Sequence, residues 1–189
     1  MKTSKTHPIR LDFVETKDFP SLNRLGMTLA PGKKEQYGIG GQWNRDLDRD
    51  LFDLKEQYNT DTLVSLIESH ELDLLGITDL PEACKSQGIH LVRFPVEDLS
   101  TPQNIEEFAQ LVGRIGDLLN EGRTVALHCR AGLGRTGMTA ACIIVAISEG
   151  EIDGMSAIKM VRMARKGTVE TRMQEEFVID FADRWKNLS

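Results

Sequence analysis

The chain has 189 residues, 40% hydrophobic and 28% charged, with a formal net charge of -6. One domain with a full core is the expectation at this length, and the acidic balance argues against nucleic acid as the main partner. The polar start, Met1 to Pro8, leads into no apolar core, and no apolar run reaches about 18 residues, so neither a signal peptide nor a membrane span is expected.

Residues 1–20 read as an N-terminal arm, disordered or paired at a sheet edge, with 21–189 as the folded domain. A strand near 25–29 precedes a glycine-rich loop over 38–45. A helix over 44–58 follows, its apolar face marked by Leu47, Leu51, Leu54 and Tyr58. Residues 62–67 read as a buried strand, 72–75 and 81–87 as short helical pieces, and 89–94 as another strand. The next helix is opened by Thr101 as N-cap with Pro102 at its first position. It carries Ile105, Phe108, Val112, Ile115 and Leu119, and ends at Gly122. Residues 124–128 form a buried strand, and 136–148 a helix apolar nearly all round, hence central. Ala157, Ile158, Val161 and Ala164 mark one further helix; Met173, Phe177, Phe181 and Trp185 mark the last, its aromatics facing the core. Strands alternating with helices imply an α/β fold, a mainly parallel central sheet flanked by helices.

The chemistry concentrates in His128-Cys129-Arg130-Ala131-Gly132-Leu133-Gly134-Arg135-Thr136-Gly137, between the 124–128 strand and the helix after it. A strand, tight loop and helix N-terminus aim backbone amides and the positive helix end at one spot. The glycines let the backbone curl around an anion. Cationic neighbours and convergent amides favour a thiolate, so Cys129 is the expected nucleophile. Arg135 offers the fork that grips two phosphoryl oxygens, and Arg130, Ala131, Gly132, Leu133 and Gly134 complete the phosphate-binding loop. Thr136 is expected to place its hydroxyl near the sulfur, and His128 to orient the loop rather than act as a base. Gly132 to Gly137 also spells G-x-G-x-x-G, but no second strand ending in an acidic residue follows, which excludes a dinucleotide site.

Phosphate-ester cleavage needs a proton donor on a separate loop. Asp98 and Glu97 both lie just past the 89–94 strand, at the sheet edge where the Cys129 loop emerges. Three cysteines without a C-x-x-C pair and four histidines without ligand spacing suggest no disulfide scaffold, metal or other cofactor. A reactive thiol suits a reducing cytoplasm. Lys159, Arg162, Arg165, Lys166 and Arg172 form a basic run, which either flanks the pocket or is a solvated helix face.

The stretch from His128 to Gly137 resembles the H-C-x5-R-[ST] signature of the protein-tyrosine and dual-specificity phosphatases. Leu29 to Lys33, the 44–58 helix, Phe94 to Asp98 with Thr101-Pro102, and Thr171 to Gln174 extend the likeness over roughly 22–187. They are most similar to the cyclin-dependent-kinase-associated phosphatases. The resemblance implies Cys129 as nucleophile, Arg135 as phosphate clamp, Asp98 as general acid and Gln174 near the active-site water. It also implies a phosphorylated protein substrate, with a kinase as a partner by analogy. The chain lacks the W-P-D spelling of receptor-type tyrosine phosphatases. Leu133 replaces the second lysine that many phosphoinositide phosphatases carry, which favours phosphoproteins, while Arg130 keeps a lipid headgroup open. The alternatives are a phosphatase of inositol phosphates or phosphoinositides, and a kinase-binding module with secondary catalysis.

Overall fold

The structure, a computed structural model, describes residues 1–38 and 40–188; Ile39, within the glycine-rich stretch, and Ser189 lie outside the described residues. In chain order come β1 (Asp12–Phe13), β2 (Leu25–Thr28), β3 (Lys34–Gly38), β4 (Gly41–Asn44), α1 (Leu47–Tyr58), β5 (Thr60–Ser65), α2 (Ser69–Leu75) and α3 (Leu80–Ser86). Then follow β6 (His90–Arg93), α4 (Ile105–Asn120), β7 (Thr124–His128), α5 (Gly134–Ile147), α6 (Gly154–Ala164) and α7 (Arg172–Leu188).

Among the described residues the main sheet has the spatial order β1-β2-β7-β5-β6. β2, β7, β5 and β6 run parallel and β1 closes the edge antiparallel. Every residue of β7 is buried, as its unbroken apolar run requires of a strand covered on both faces. In register, Thr28 and Ser65 flank His128 on either side, so the loop after β7 emerges between two neighbouring strand ends. Helix α5 is buried from Gly134 through Val145 and packs against α4, α6 and α7, which explains its lack of a polar face. Phe108 of α4 meets Phe94, Phe177 and Phe181, with ring centroids 5.5 to 5.7 Å apart, and Trp185 extends the cluster. The aromatics of the last helix are core, as expected.

Three local expectations are corrected. Residues 38–45 are not a plain loop: β3 and β4 pair as a hairpin, and Lys2 joins it, its N–H donating to Gln42 O and its carbonyl accepting from Asn44 N. The first helix begins at Leu47 rather than Asn44, because Asp46 accepts from Arg49 N and closes the N-terminus there. Helix α4 begins at Ile105, not at Pro102: Asn104 is extended, and its Oδ1 accepts from both Glu106 N and Glu107 N at 3.1 Å, two first-turn amides that have no carbonyl partner within a helix starting at Ile105. The arm pairs at the sheet edge through β1, and Ile9, Leu11 and Val14 enter the core.

Candidate active site

Cys129 follows β7 directly and lies 3% exposed at a cleft of about 210 Å³. Arg130, Ala131 and Asp98 line the same cleft. Gly132 can only be glycine: its φ is +72°, and a Cβ there would sit 2.1 Å from the Thr28 carbonyl oxygen. The loop is thus pressed against the end of β2. Leu133 O accepts from Gly137 N at 2.8 Å, turning the chain into α5.

Arg135 is 1% exposed in its side chain and held from three sides. Nη1 donates to Glu71 Oε2 at 2.6 Å and to Val96 O at 2.8 Å; Nη2 donates to Glu71 Oε1 at 2.9 Å and meets Asp98 Oδ1 at 2.9 Å. Its Nε is buried and has no hydrogen-bond partner among the described residues. Burial works against the guanidinium charge, but Glu71, Cys129 and Asp98 outweigh it, so Arg135 stays protonated.

Of the two loop acids, Asp98 lies in the Cys129 cleft, whereas Glu97 lines a separate surface cleft with Glu68 and Thr101. The Asp98 carboxylate also accepts from Leu99 N at 3.0 Å, within a turn where Leu99 adopts a left-handed φ of 61°. That strained turn is docked on α7: Thr171 Oγ1 donates to Leu99 O, and Gln174 Nε2 to Ser100 O at 3.2 Å. Gln174 is fully buried, and its Oε1 accepts from Glu170 N and Thr171 N, so it acts as a strut between α7 and the acid loop.

His128 is fully buried, and Nδ1 donates to Cys129 O at 3.1 Å. Burial pushes its pKa down to about 4, so the ring is neutral and unable to serve as a proton store near neutrality. Thr136 is buried, but its hydroxyl makes no hydrogen bond among the described residues, the Cys129 sulfur included. Cys84 and Cys142 are free and buried, and burial pushes the Cys84 thiol up to about 12. Among the described residues no cluster of histidine, cysteine, aspartate and glutamate has the makings of a metal site, and no helix is long and apolar enough to cross a membrane.

Three residues around the loop escaped sequence reasoning, Glu71, Glu35 and Glu170, and Arg165 was singled out only as part of the basic run. Glu71 holds Arg135. Glu35, 9% exposed in its side chain, accepts from Arg130 Nε at 2.7 Å and also pairs with Nη2; Lys33 Nζ, beneath, donates to Glu35 at 3.0 Å. Glu170 accepts from Gly134 N at 2.7 Å at the start of α5. Arg165 reaches the loop from behind, donating to Gly132 O and Ala131 O. The basic run does not line the cleft: Lys159, Lys166 and Arg172 are exposed as a solvated face would be, while Arg162 and Arg165 are half-buried in contacts within the chain. Arg162 binds Thr168 O, Val169 O and Glu175, and Arg172 pairs with Glu176.

The sequence model of the family described as "Polymorphic toxin system, DSP-PTPase phosphatase" matches residues 37–149, more than half of the chain. The chain belongs to this DSP-PTPase phosphatase family. It is a cysteine-dependent phosphatase of the tyrosine or dual-specificity kind. Cyclin-dependent kinase inhibitor 3 of Rattus norvegicus is 25% identical over 178 residues, covering 94% of this chain and 80% of that protein. Protein tyrosine phosphatase domain-containing protein 1 of Bos taurus is 37% identical over 106 residues, which are 56% of this chain and only 13% of that protein. Among solved structures, kinase associated phosphatase with serine at its catalytic site cysteine superimposes with a TM-score of 0.81 at 22% identity, covering 95% of this chain and 97% of that one. PTPMT1 in complex with PI(5)P superimposes at 0.69 and 15% identity, covering 86% and 92%. These likenesses show the phosphatase fold, with its mainly parallel sheet, in this DSP-PTPase chain.

Proposed function

We propose that the enzyme removes phosphate from phosphorylated protein side chains, with Cys129 as nucleophile, Asp98 as acid and base, and Arg135 as clamp. The observation that carries this is the linkage of the three groups: Asp98 and Cys129 line one cleft, and Asp98 reaches the buried Arg135 behind it at 2.9 Å. In the first step the sulfur forms a bond to phosphorus as the phosphorus–oxygen ester bond breaks, and the Asp98 carboxylic acid gives its proton to the departing oxygen. In the second, ionised Asp98 takes a proton from water as that water attacks phosphorus, releasing inorganic phosphate and the thiolate. Arg135 Nε and the loop amides hold the non-bridging oxygens throughout. The Asp98–Arg135 contact opens as the phosphoryl group takes the guanidinium, freeing the carboxyl to turn to the leaving oxygen. Thr136 and His128 support the loop from its buried side.

Charge at the cleft favours a phosphoprotein over a polyphosphorylated lipid. Arg130, the loop cation that a second phosphate would seek, is already paired with Glu35, and Glu170 and Asp98 add carboxylates to the wall. The likeness to cyclin-dependent kinase inhibitor 3 along 94% of the chain supports a phosphorylated kinase as the partner, and the unpaired thiols suit a reducing cytoplasm. The test is turnover of an aryl phosphate, a set of phosphopeptides and a set of phosphoinositides by the wild type, Cys129→Ser and Asp98→Ala. Aryl phosphate and phosphopeptide cleavage, lost in the first variant and slowed in the second, is expected; phosphoinositides cleaved faster than every phosphopeptide would overturn the substrate assignment.

A further inference from the structure

Arg165 caps the C-terminus of α6, and its guanidinium is divided among three acceptors. Nε donates to Gly132 O at 2.8 Å, Nη2 to Ala131 O at 3.1 Å, and Nη1 meets Asp12 Oδ2 at 2.6 Å. The two side chains are 17% and 16% exposed, so the pair is largely shielded from water. Asp12 belongs to the edge strand β1, where it sits opposite Met27 of β2, and its other oxygen takes the exposed Arg10.

Ala131 and Gly132 are central in the loop between Cys129 and Arg135. A trans peptide is planar, with carbonyl and amide pointing in opposite directions. Pinning the Ala131 carbonyl therefore orients the Gly132 amide, and pinning the Gly132 carbonyl orients the Leu133 amide. On the other side, the loop backbone is held against β2, where a Gly132 Cβ would collide with Thr28 O. The loop is clamped between a strand end and a guanidinium.

We infer that the Asp12–Arg165 pair is a positioning device for the phosphate-binding loop, turning the Gly132 and Leu133 amides toward the phosphoryl oxygens. The inference rests on the proposed role of that loop. Arg165 touches no reacting atom and acts through the backbone it holds. A planar fork can bridge two carbonyls and a carboxylate at once; a lysine ammonium on a flexible stem cannot reproduce that geometry. The N-terminal arm thereby contributes to catalysis from the far edge of the sheet, through a carboxylate 153 positions from its partner.

The experiment uses the full chain with Arg165→Lys and Asp12→Asn, and Arg172→Ala as a charge-removal control at an exposed site. Vanadate affinity, kcat and KM for an aryl phosphate and the melting temperature are measured on each. Arg165→Lys is expected to lower kcat by about 100-fold, the scale of a small misplacement of catalytic groups, and to weaken vanadate binding in parallel. Asp12→Asn moves both in the same direction by less, and the control moves neither. Wild-type kcat and vanadate affinity in folded Arg165→Lys and Asp12→Asn, or a lowered melting temperature alone, overturns the inference. Should Arg165→Lys not fold, the milder Asp12→Asn decides. A wild type that cleaves no aryl phosphate would instead overturn the proposed function, and vanadate titration would still read the clamp.

Discussion

Glu71 grips Arg135 with both carboxylate oxygens, Oε2 at 2.6 Å from Nη1 and Oε1 at 2.9 Å from Nη2, and both side chains are at most 3% exposed. Glu71 is itself fixed, since its Oε2 accepts from Glu68 N in the capping box of α2. The pair aims the guanidinium while leaving Nε free. Burial alone would raise the Glu71 carboxyl, but the Arg135 bonds and the Glu68 amide hold it below the usual range.

Removing one partner of such a pair leaves a buried charge uncompensated. Glu71→Ala is expected to destabilise the fold by about 3–5 kcal/mol, read by urea unfolding at neutral pH. Because the folded carboxyl titrates lower than the unfolded one, the contribution is complete above the ordinary carboxylate pKa and disappears as pH falls through the folded value. Wild type and Glu71→Ala should therefore converge in stability in strong acid. A constant gap down to that range would show that the carboxylate charge contributes nothing.

Asp98→Asn keeps the shape of the acid loop and removes the proton. Turnover of an alkyl phosphate should fall by about 100- to 10,000-fold, as for loss of a general acid. A phosphate ester with a readily departing phenolate should suffer much less, since that oxygen leaves without protonation. Equal losses on both substrates would point to a different acid.

His128 links the site to the stability of the whole molecule. Its ring is held neutral by burial, with the pKa pushed down from 6.5 to about 4. The unfolded chain binds this proton first, so the contribution is complete above pH 6.5 and is lost as pH falls toward 4. Roughly 3 kcal/mol of unfolding free energy should vanish across that window, and a His128→Gln variant should show a flatter profile by about that amount. Urea titrations at several pH values make the measurement; parallel wild-type and variant profiles would refute it.

Glu35→Gln should release Arg130 from its partner. The ratio of phosphoinositide to phosphopeptide kcat/KM is expected to rise, because a free cation at the cleft mouth favours a second phosphate. The buried Lys33 would lose the carboxylate charge that supports its own against burial, so stability is also expected to fall. An unchanged substrate ratio would show that Glu35 serves packing alone.

Much of the site was legible because it is contiguous. From His128 to Gly137, strand end, glycine loop and helix start are neighbours in the chain, so residue types and spacing by themselves predict the strand, loop and helix junction that the structure shows. The buried β7 and α5 were equally legible from apolar runs, and the family likeness followed from the same residues. The start of α4 was misplaced because Thr101-Pro102 is a plausible local signal, whereas Asn104 closes two amides. Glu71 and Glu35 carried no sequence signal, and Arg165 none beyond its place in the basic run. They reach the loop across separations of 64, 95 and 33 positions, and only folding shows which of many charged residues lose their water and must find one another. The sequence on its own determined the local build of the loop, whose geometry is dictated by adjacent backbone. The tertiary structure alone decided how that loop is braced, since ion pairs between distant segments leave no periodic trace in the chain.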